Sequence, residues 1–196
     1  MANVNAPFGF SPIIYGGSAA SNQQVRTYYI PSTDGSAYYI GDVVKTAAGS
    51  DANGIPLVVK AASGNTPRGV ILGVIPANAG ASIQGTPLAL EQTFIPASKS
   101  HDYYVLVNDD PQQVYVLQGD NTSFVTTSMN LNASYTVAAP STGSLSATVL
   151  TAPATTSSLP VKILGQEQIA NSTIGSYMRF IVKFNTHELL GNTAGV

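Results

Sequence analysis

From Val25 onward the chain alternates short β-favouring runs with turn chemistry. Val25 to Ile30 reads as a strand closed by Pro31-Ser32-Thr33-Asp34-Gly35, where Asp-Gly supplies a tight turn. Tyr38 to Thr46 reads as the next strand, followed by a loop over Ala47 to Gly54, and Ile55 to Lys60 as another. Gly69 to Ile75 is apolar at odd and even positions alike, which places it between two buried surfaces in a sandwich or barrel. Its two glycines predict a bulge or a close backbone approach. Further strands are expected at Leu88 to Ile95, Tyr103 to Val107, Val114 to Gln118, Ser123 to Thr127, Tyr135 to Ala139, Ala147 to Thr151 and Pro160 to Leu164. Tyr177 to Phe184 has the cleanest period, with Met178, Phe180, Val182 and Phe184 on one face and Tyr177, Arg179, Ile181 and Lys183 on the other. No segment has a convincing helical period. The pattern predicts an all-β sandwich or barrel of about ten to twelve short strands, jelly-roll or tulip-like.

Residues 1–24 are different. Pro7, Phe8, Phe10, Pro12, Ile13, Ile14 and Tyr15 are apolar or extended without a period, and Gly16 to Asn22 has linker composition. This extended N-terminal arm either folds back on the body, 25–187, or lies on a neighbouring subunit. A break near residue 98 (Ser98-Lys99-Ser100) is a possible subdivision of the body, and 188–196 form a C-terminal tail.

Composition narrows the function. Only 9% of the 196 residues are charged, against about 25% in a typical protein, while 44% are hydrophobic. Eight scattered Lys and Arg argue against nucleic acid as a partner, because phosphate binding needs clustered cations. A net charge of −2 with normal apolar content argues against disorder. With zero cysteines there is neither a disulfide framework nor a thiolate metal site. No basic-apolar leader opens the chain, and no apolar run approaches the length of a membrane span. The expectation is therefore synthesis in a cytoplasm, with no membrane as partner.

Candidate chemistry is sparse. His101 adjoins Asp102 and His187 adjoins Glu188, but neighbours along a strand point to opposite faces. Asp51-Ala52-Asn53-Gly54 starts like a calcium loop, yet the positions for further ligands hold Ile55 and Ala62, so it reads as a turn. Asn108-Asp109-Asp110-Pro111 sets two carboxylates before a proline, the pattern of a cation ligand or of a turn. A nucleophile elbow and a phosphate loop are both lacking. The expectation is a protein that is not an enzyme, with no cofactor and no metal. Three tyrosine doublets (28–29, 38–39 and 103–104) should each turn one ring inward and one outward. The outward rings suit a contact surface.

Three stretches resemble a family of capsid-associated structural proteins of tailed bacteriophages. They are residues 1–12 (Met-Ala-Asn-Val-Asn-Ala-Pro-Phe-Gly-Phe-Ser-Pro), residues 28–34 with 40–45, 54–56 and 68–70, and residues 103–111 with 179–187. This chain runs on past the Asn-x-His segment near which similar proteins end. The resemblance implies a head decoration, or cement, protein on the outer surface of the virion capsid. Its partners would be the major capsid protein and further copies of itself, as a homodimer or homotrimer. Pro7, Phe8, Phe10, Pro12, Ile14, Tyr15, Tyr29, Tyr39 and Tyr104 are the candidate contact residues. The alternative is a carbohydrate- or receptor-binding β module of a head fibre or tail.

Overall fold

The computed structural model describes residues 3–14, 24–75, 93–141, 143, 145–170 and 172–190. Among them lie fourteen strands, and the only helical pieces are 3-10 turns at Thr126–Ser128 and Glu188–Leu190. The all-β expectation holds. Both a barrel and an open sheet are present.

Five strands, β2 (Val25–Ile30), β4 (Val43–Ser50), β5 (Pro56–Lys60), β6 (Gly69–Ile75) and β8 (Tyr103–Asn108), close into a barrel in the order β2-β5-β4-β6-β8. An open sheet runs in the order β1 (Ser11–Ile13), β9 (Val114–Gln118), β14 (Arg179–Phe184), β13 (Val161–Gln166), β10 (Asn132–Ala133). Two small ribbons complete the structure, β3 (Tyr38–Tyr39) with β7 (Phe94–Ile95), and β11 (Tyr135–Thr136) with β12 (Val149–Leu150).

Alternation explains the barrel interior. Tyr28 and Ile30 on β2 and Tyr103, Val105 and Val107 on β8 all point inward and are buried. The doubly apolar β6 has a double task. Val70 packs into the core under the open sheet, while the next residue, Ile71, packs inside the barrel. Val43 and Val44 divide in the same way on β4. The β4–β6 wall therefore separates two cores and serves both, each buried aliphatic side chain contributing about 1.5–3 kcal/mol. Both glycine readings hold within β6. A Cβ on Gly69 would stand 2.1 Å from the Asn108 carbonyl oxygen, and the β6–β8 register shifts between Ile71 and Gly73.

The barrel core draws on residues from Tyr28 to Val107, and β8, which lies beyond residue 98, completes it. The second core takes most of its residues from Tyr115 onward, with Phe10, Val43, Ala61 and Val70 added from earlier in the chain. The chain crosses from one core to the other through Asp109–Gln113.

Several element boundaries differ from expectation. The run Tyr38 to Thr46 is broken at Gly41, whose φ of 91° leaves extended geometry. The loop placed over Ala47 to Gly54 is shorter, because β4 continues to Ser50. Ser123 to Thr127 is not a strand. The Ser128 hydroxyl takes the Val125 N–H and starts a 3-10 turn, a local alternative to ladder pairing. Phe124 then plugs the core edge-on against Phe180, with centroids 4.7 Å apart. The strands expected over Tyr135 to Ala139 and Ala147 to Thr151 shorten to two residues each. Of Leu88 to Ile95 only Thr93–Ile95 falls within the described residues, and of these Phe94–Ile95 are strand.

Candidate functional site

Each tyrosine doublet splits as the strand period requires. Tyr28, Tyr38 and Tyr103 are buried, while Tyr29, Tyr39 and Tyr104 are half-buried on the outside. Tyr29 and Tyr104 sit opposite each other on β2 and β8, with ring centroids 5.8 Å apart and planes at 48°. Each phenol is anchored. Tyr29 Oη donates to Asp102 Oδ2 at 2.8 Å, and Tyr104 Oη donates to Asp51 Oδ2 at 2.8 Å. The two carboxylates are themselves held by backbone, Asp102 by the Ser32 N–H and Asp51 by those of Ile55 and Asn53.

These bonds favour charged carboxylates and neutral phenols. The Ser32 N–H and the Tyr29 hydroxyl hold the Asp102 carboxyl below its usual range. Desolvation works the other way at Asp51, but the Ile55 N–H and Tyr104 hydroxyl overcome it and hold that carboxyl low as well. The hydrogen bond to Asp102 pushes the Tyr29 phenol up to about 12, and Asp51 raises Tyr104 in the same manner. Two flat rings are thus fixed on one outer wall between two ionised carboxylates. Tyr39 is not part of this pair. It stacks on Phe94 at 5.6 Å and 13° in the β3–β7 ribbon, with Lys60 Nζ 5.5 Å from its ring centroid.

The N-terminal arm folds back on its own chain through residues 3–14. Gln118 on β9 grips it, its Oε1 accepting the Ala6 N–H and its Nε2 donating to the Val4 carbonyl. Asn3 bonds Thr173 and Ser176, and β1 pairs with β9. Gly41 makes the close approach possible, since a Cβ there would lie 2.8 Å from the Phe8 carbonyl oxygen. The Gly41 carbonyl accepts the Phe10 N–H at 3.0 Å.

This geometry corrects one candidate contact residue. Phe10 is 1% exposed and sits among Tyr115, Tyr135 and Phe184, so it is core and has no surface to offer a partner. Phe8 is half-buried under Arg179, whose guanidinium carbon is 5.0 Å from the ring centroid. Pro12 is half-buried within β1. Pro7 lines a groove of about 510 Å³ together with Asn5, Ala6, Pro140, Leu145 and Ala147. Ile14 is 68% exposed. Tyr15 and the linker over Gly16 to Asn22 lie outside the described residues.

The candidate chemical groups are engaged in holding the fold. Asp109 is buried and accepts from Tyr28 Oη at 2.7 Å, and Arg68 Nη2 and Arg26 Nη1 stand 3.4 and 3.5 Å from the same oxygen. Arg68 Nε also donates to Tyr28 Oη at 2.8 Å, closing a triangle. Asp110 takes the Gln112 N–H in a turn. Of the two readings of 108–111, the turn is therefore the one this geometry realises. Asp102 serves Tyr29 and Ser32, while the His101 ring contacts Ser100 Oγ and Tyr103. Glu188 bonds Thr46 through both oxygens. Neither His-acid neighbour pair acts as a unit. Two buried ion pairs had no sequence signal beyond a turn aspartate. Asp42 meets Lys60 at 2.8 Å and accepts from Ser146 Oγ, and Asp34 meets Lys99, which also donates to the Ser36 carbonyl.

His187 is 2% exposed and its Nδ1 accepts the Leu189 N–H, which fixes a neutral ring. Burial, and after it the Arg68 charge, push its pKa down to about 4 from 6.5. Above pH 6.5 the ring is neutral in the folded and unfolded chains alike. As pH falls toward 4, only the unfolded chain takes up the proton. Stability should therefore fall through that window by up to about 1.4 kcal/mol per pH unit. Asp51 and Asp102, held low in the folded chain, lose their contribution only as pH falls from the usual carboxylate range toward their lower folded values. Urea midpoints measured between pH 7 and 4.5 should drop in the wild type, and His187→Asn should flatten the slope.

Set against known proteins, the chain matches no family, no curated protein and no solved structure.

Proposed function

We propose that the protein is a non-enzymatic virion component, a decoration protein seated on the outer surface of a tailed-phage capsid across major capsid subunits. The observation that carries this reading is the groove of about 510 Å³ between the folded-back arm and Pro140, Ser141, Leu145 and Ala147. Its lining holds no charged side chain, and Leu145 on its rim is 47% exposed. Nearby in sequence, Val4 and Ile14 leave 70% and 68% of their surface in water. A neutral groove beside exposed apolar residues suits an extended segment of another protein, whose backbone would need few charged partners. The sequence resemblance supports the same assignment, and repetition over a symmetric shell would multiply weak contacts.

Co-sedimentation with expanded heads lacking the protein tests the proposal. Wild-type chain should pellet with the heads at on the order of hundreds of copies per particle. Leu145→Asp should fold normally and bind at least about thirtyfold more weakly. Saturation at about six or twelve copies would place the protein at the portal or tail instead. No binding to heads would end the reading.

The alternative of a carbohydrate-binding module draws on the Tyr29–Tyr104 pair. There the carboxylates already accept from phenols and backbone, which leaves fewer acceptors for sugar hydroxyls. A glycan array with hits lost in Tyr29→Ala would favour it.

A further inference from the structure

Charge is so scarce in this chain that where it is left unpaired becomes informative. Lys60, Lys99, Arg68 and Arg26 each meet an aspartate. Lys162 and Lys183 instead have no acid partner among the described residues, and with Arg179 they share the outer face of the open sheet. That face is defined by the strand period, since Val161, Ile163, Phe180, Val182 and Phe184 point the other way into the core. Lys162 and Lys183 are direct cross-strand partners. Like charges in that position destabilise a sheet. Lys183 donates to Gln112, and the acid on this face, Glu167, stands with Arg179 at 3.6 Å. Ile13 and Ile181 are half-buried beside the lysines. A groove of about 320 Å³ opens among Phe8, Ser11, Ile13, Val116 and the Arg179–Glu167 pair.

The complementary surface belongs to the same chain. Asp51 and Asp102 carry no cation partner among the described residues, and between them stand the rings of Tyr29 and Tyr104. In the closed order β2-β5-β4-β6-β8, the β4–β6 wall packs against the inner side of the open sheet, and β2 lies across the barrel from that wall. The acidic aromatic face and the cationic apolar face therefore point away from each other, at opposite ends of the molecule. They can meet only between molecules.

We propose that copies of this protein associate head to tail, the Tyr29–Tyr104 face of one docking on the Lys162–Lys183 face of the next. The carboxylates neutralise the lysine pair, and a tyrosine ring enters the groove beneath the Arg179 guanidinium, a cation–π contact. Such a contact is heterologous. It closes into a ring or continues as an array, whereas a twofold dimer through either face would set like charge against like. The proposal stands independently of any capsid.

The test uses two full-length variants, followed by sedimentation velocity across the micromolar range. Lys162→Glu/Lys183→Glu spoils only the sheet face, and Asp51→Lys/Asp102→Lys spoils only the barrel face. Wild-type chain should form species larger than a monomer. Each variant alone should be monomeric, with self-association weakened about a hundredfold or more. An equimolar mixture should recover association, since the intact face of each variant meets the intact face of the other and the two reversed faces, glutamate against lysine, are complementary as well. If the aspartate variant fails to fold, Tyr29→Ser/Tyr104→Ser replaces it with the same expectation. The single variant Lys162→Glu should lose association while melting no lower than wild type, because it turns a like-charge pair into an opposite one. A monomeric wild type, or a mixture of variants that stays monomeric, would overturn the proposal.

Discussion

Phe10→Ala should cost about 3–5 kcal/mol, a large part of the roughly 5–15 kcal/mol that holds a domain together. The ring is 1% exposed and packs edge-on against Tyr115 and Tyr135, at 5.7 and 5.6 Å, and tilted against Phe184 at 5.2 Å. Three aromatic partners cannot collapse into the space left behind without leaving their rotamers. Ile14→Ala, four residues further on and mostly in water, should change stability by less than about 0.5 kcal/mol. Urea unfolding of the two variants measures the contrast. Equal and small effects would show that the arm is not part of the core. Because Phe10 and β1 both belong to the folded body, removing residues 1–15 should unfold the protein rather than release a clasp.

Asp109→Ala should be comparably damaging, at about 3–5 kcal/mol, because it strands Arg68 and the Tyr28 hydroxyl beside a cavity. Arg68 is 17% exposed and Asp109 4% in their side chains, so water cannot replace the lost partner fully. The Tyr28 phenol, pushed up to about 12 by burial and by Asp109, remains neutral at any ordinary pH. Tyr28→Phe should cost less, about 1–2 kcal/mol, since the Asp109–Arg68 ion pair survives it. A double-mutant cycle between the two substitutions should return a coupling of about 0.5–3 kcal/mol. Additive effects would mean that the triangle at the barrel mouth does not act as a unit.

Much of this arrangement is legible in the linear pattern. Val25–Ile30, Gly69–Ile75 and Val114–Gln118 occur with the bounds the pattern predicts, since each pairs a clear period with turn residues at both ends. The split of the tyrosine doublets follows from the period of a strand alone. The short ribbons were harder. Tyr135–Thr136 and Val149–Leu150 pair for two residues only, and their extent depends on what each meets rather than on propensity. Ser123 to Thr127 shows the same limit from the other side. Its apolar residues are a plug for the core, and Ser128 bends the chain before a ladder can form.

For the candidate surfaces, local pattern identified Tyr29, Tyr39 and Tyr104 as outward rings and Pro7 as part of an extended arm. It could not separate Phe10 from Phe8, because both sit in an aperiodic stretch where only the packing partner decides burial. Nor could it pair Asp109 with Arg68 or Asp51 with Tyr104, contacts between residues 41 and 53 positions apart in the chain. Such pairs leave no trace at short range.

The sequence by itself determined an all-β chain with alternating faces, few charges and rings directed outward, because strand period and turn chemistry are local properties of the backbone. Tertiary structure alone decided that the arm belongs to its own core, that one barrel wall serves two cores, and that Lys162 and Lys183 become direct cross-strand neighbours. Those outcomes depend on which distant strands become neighbours, and register between strands is set by the whole packed assembly rather than by any one segment.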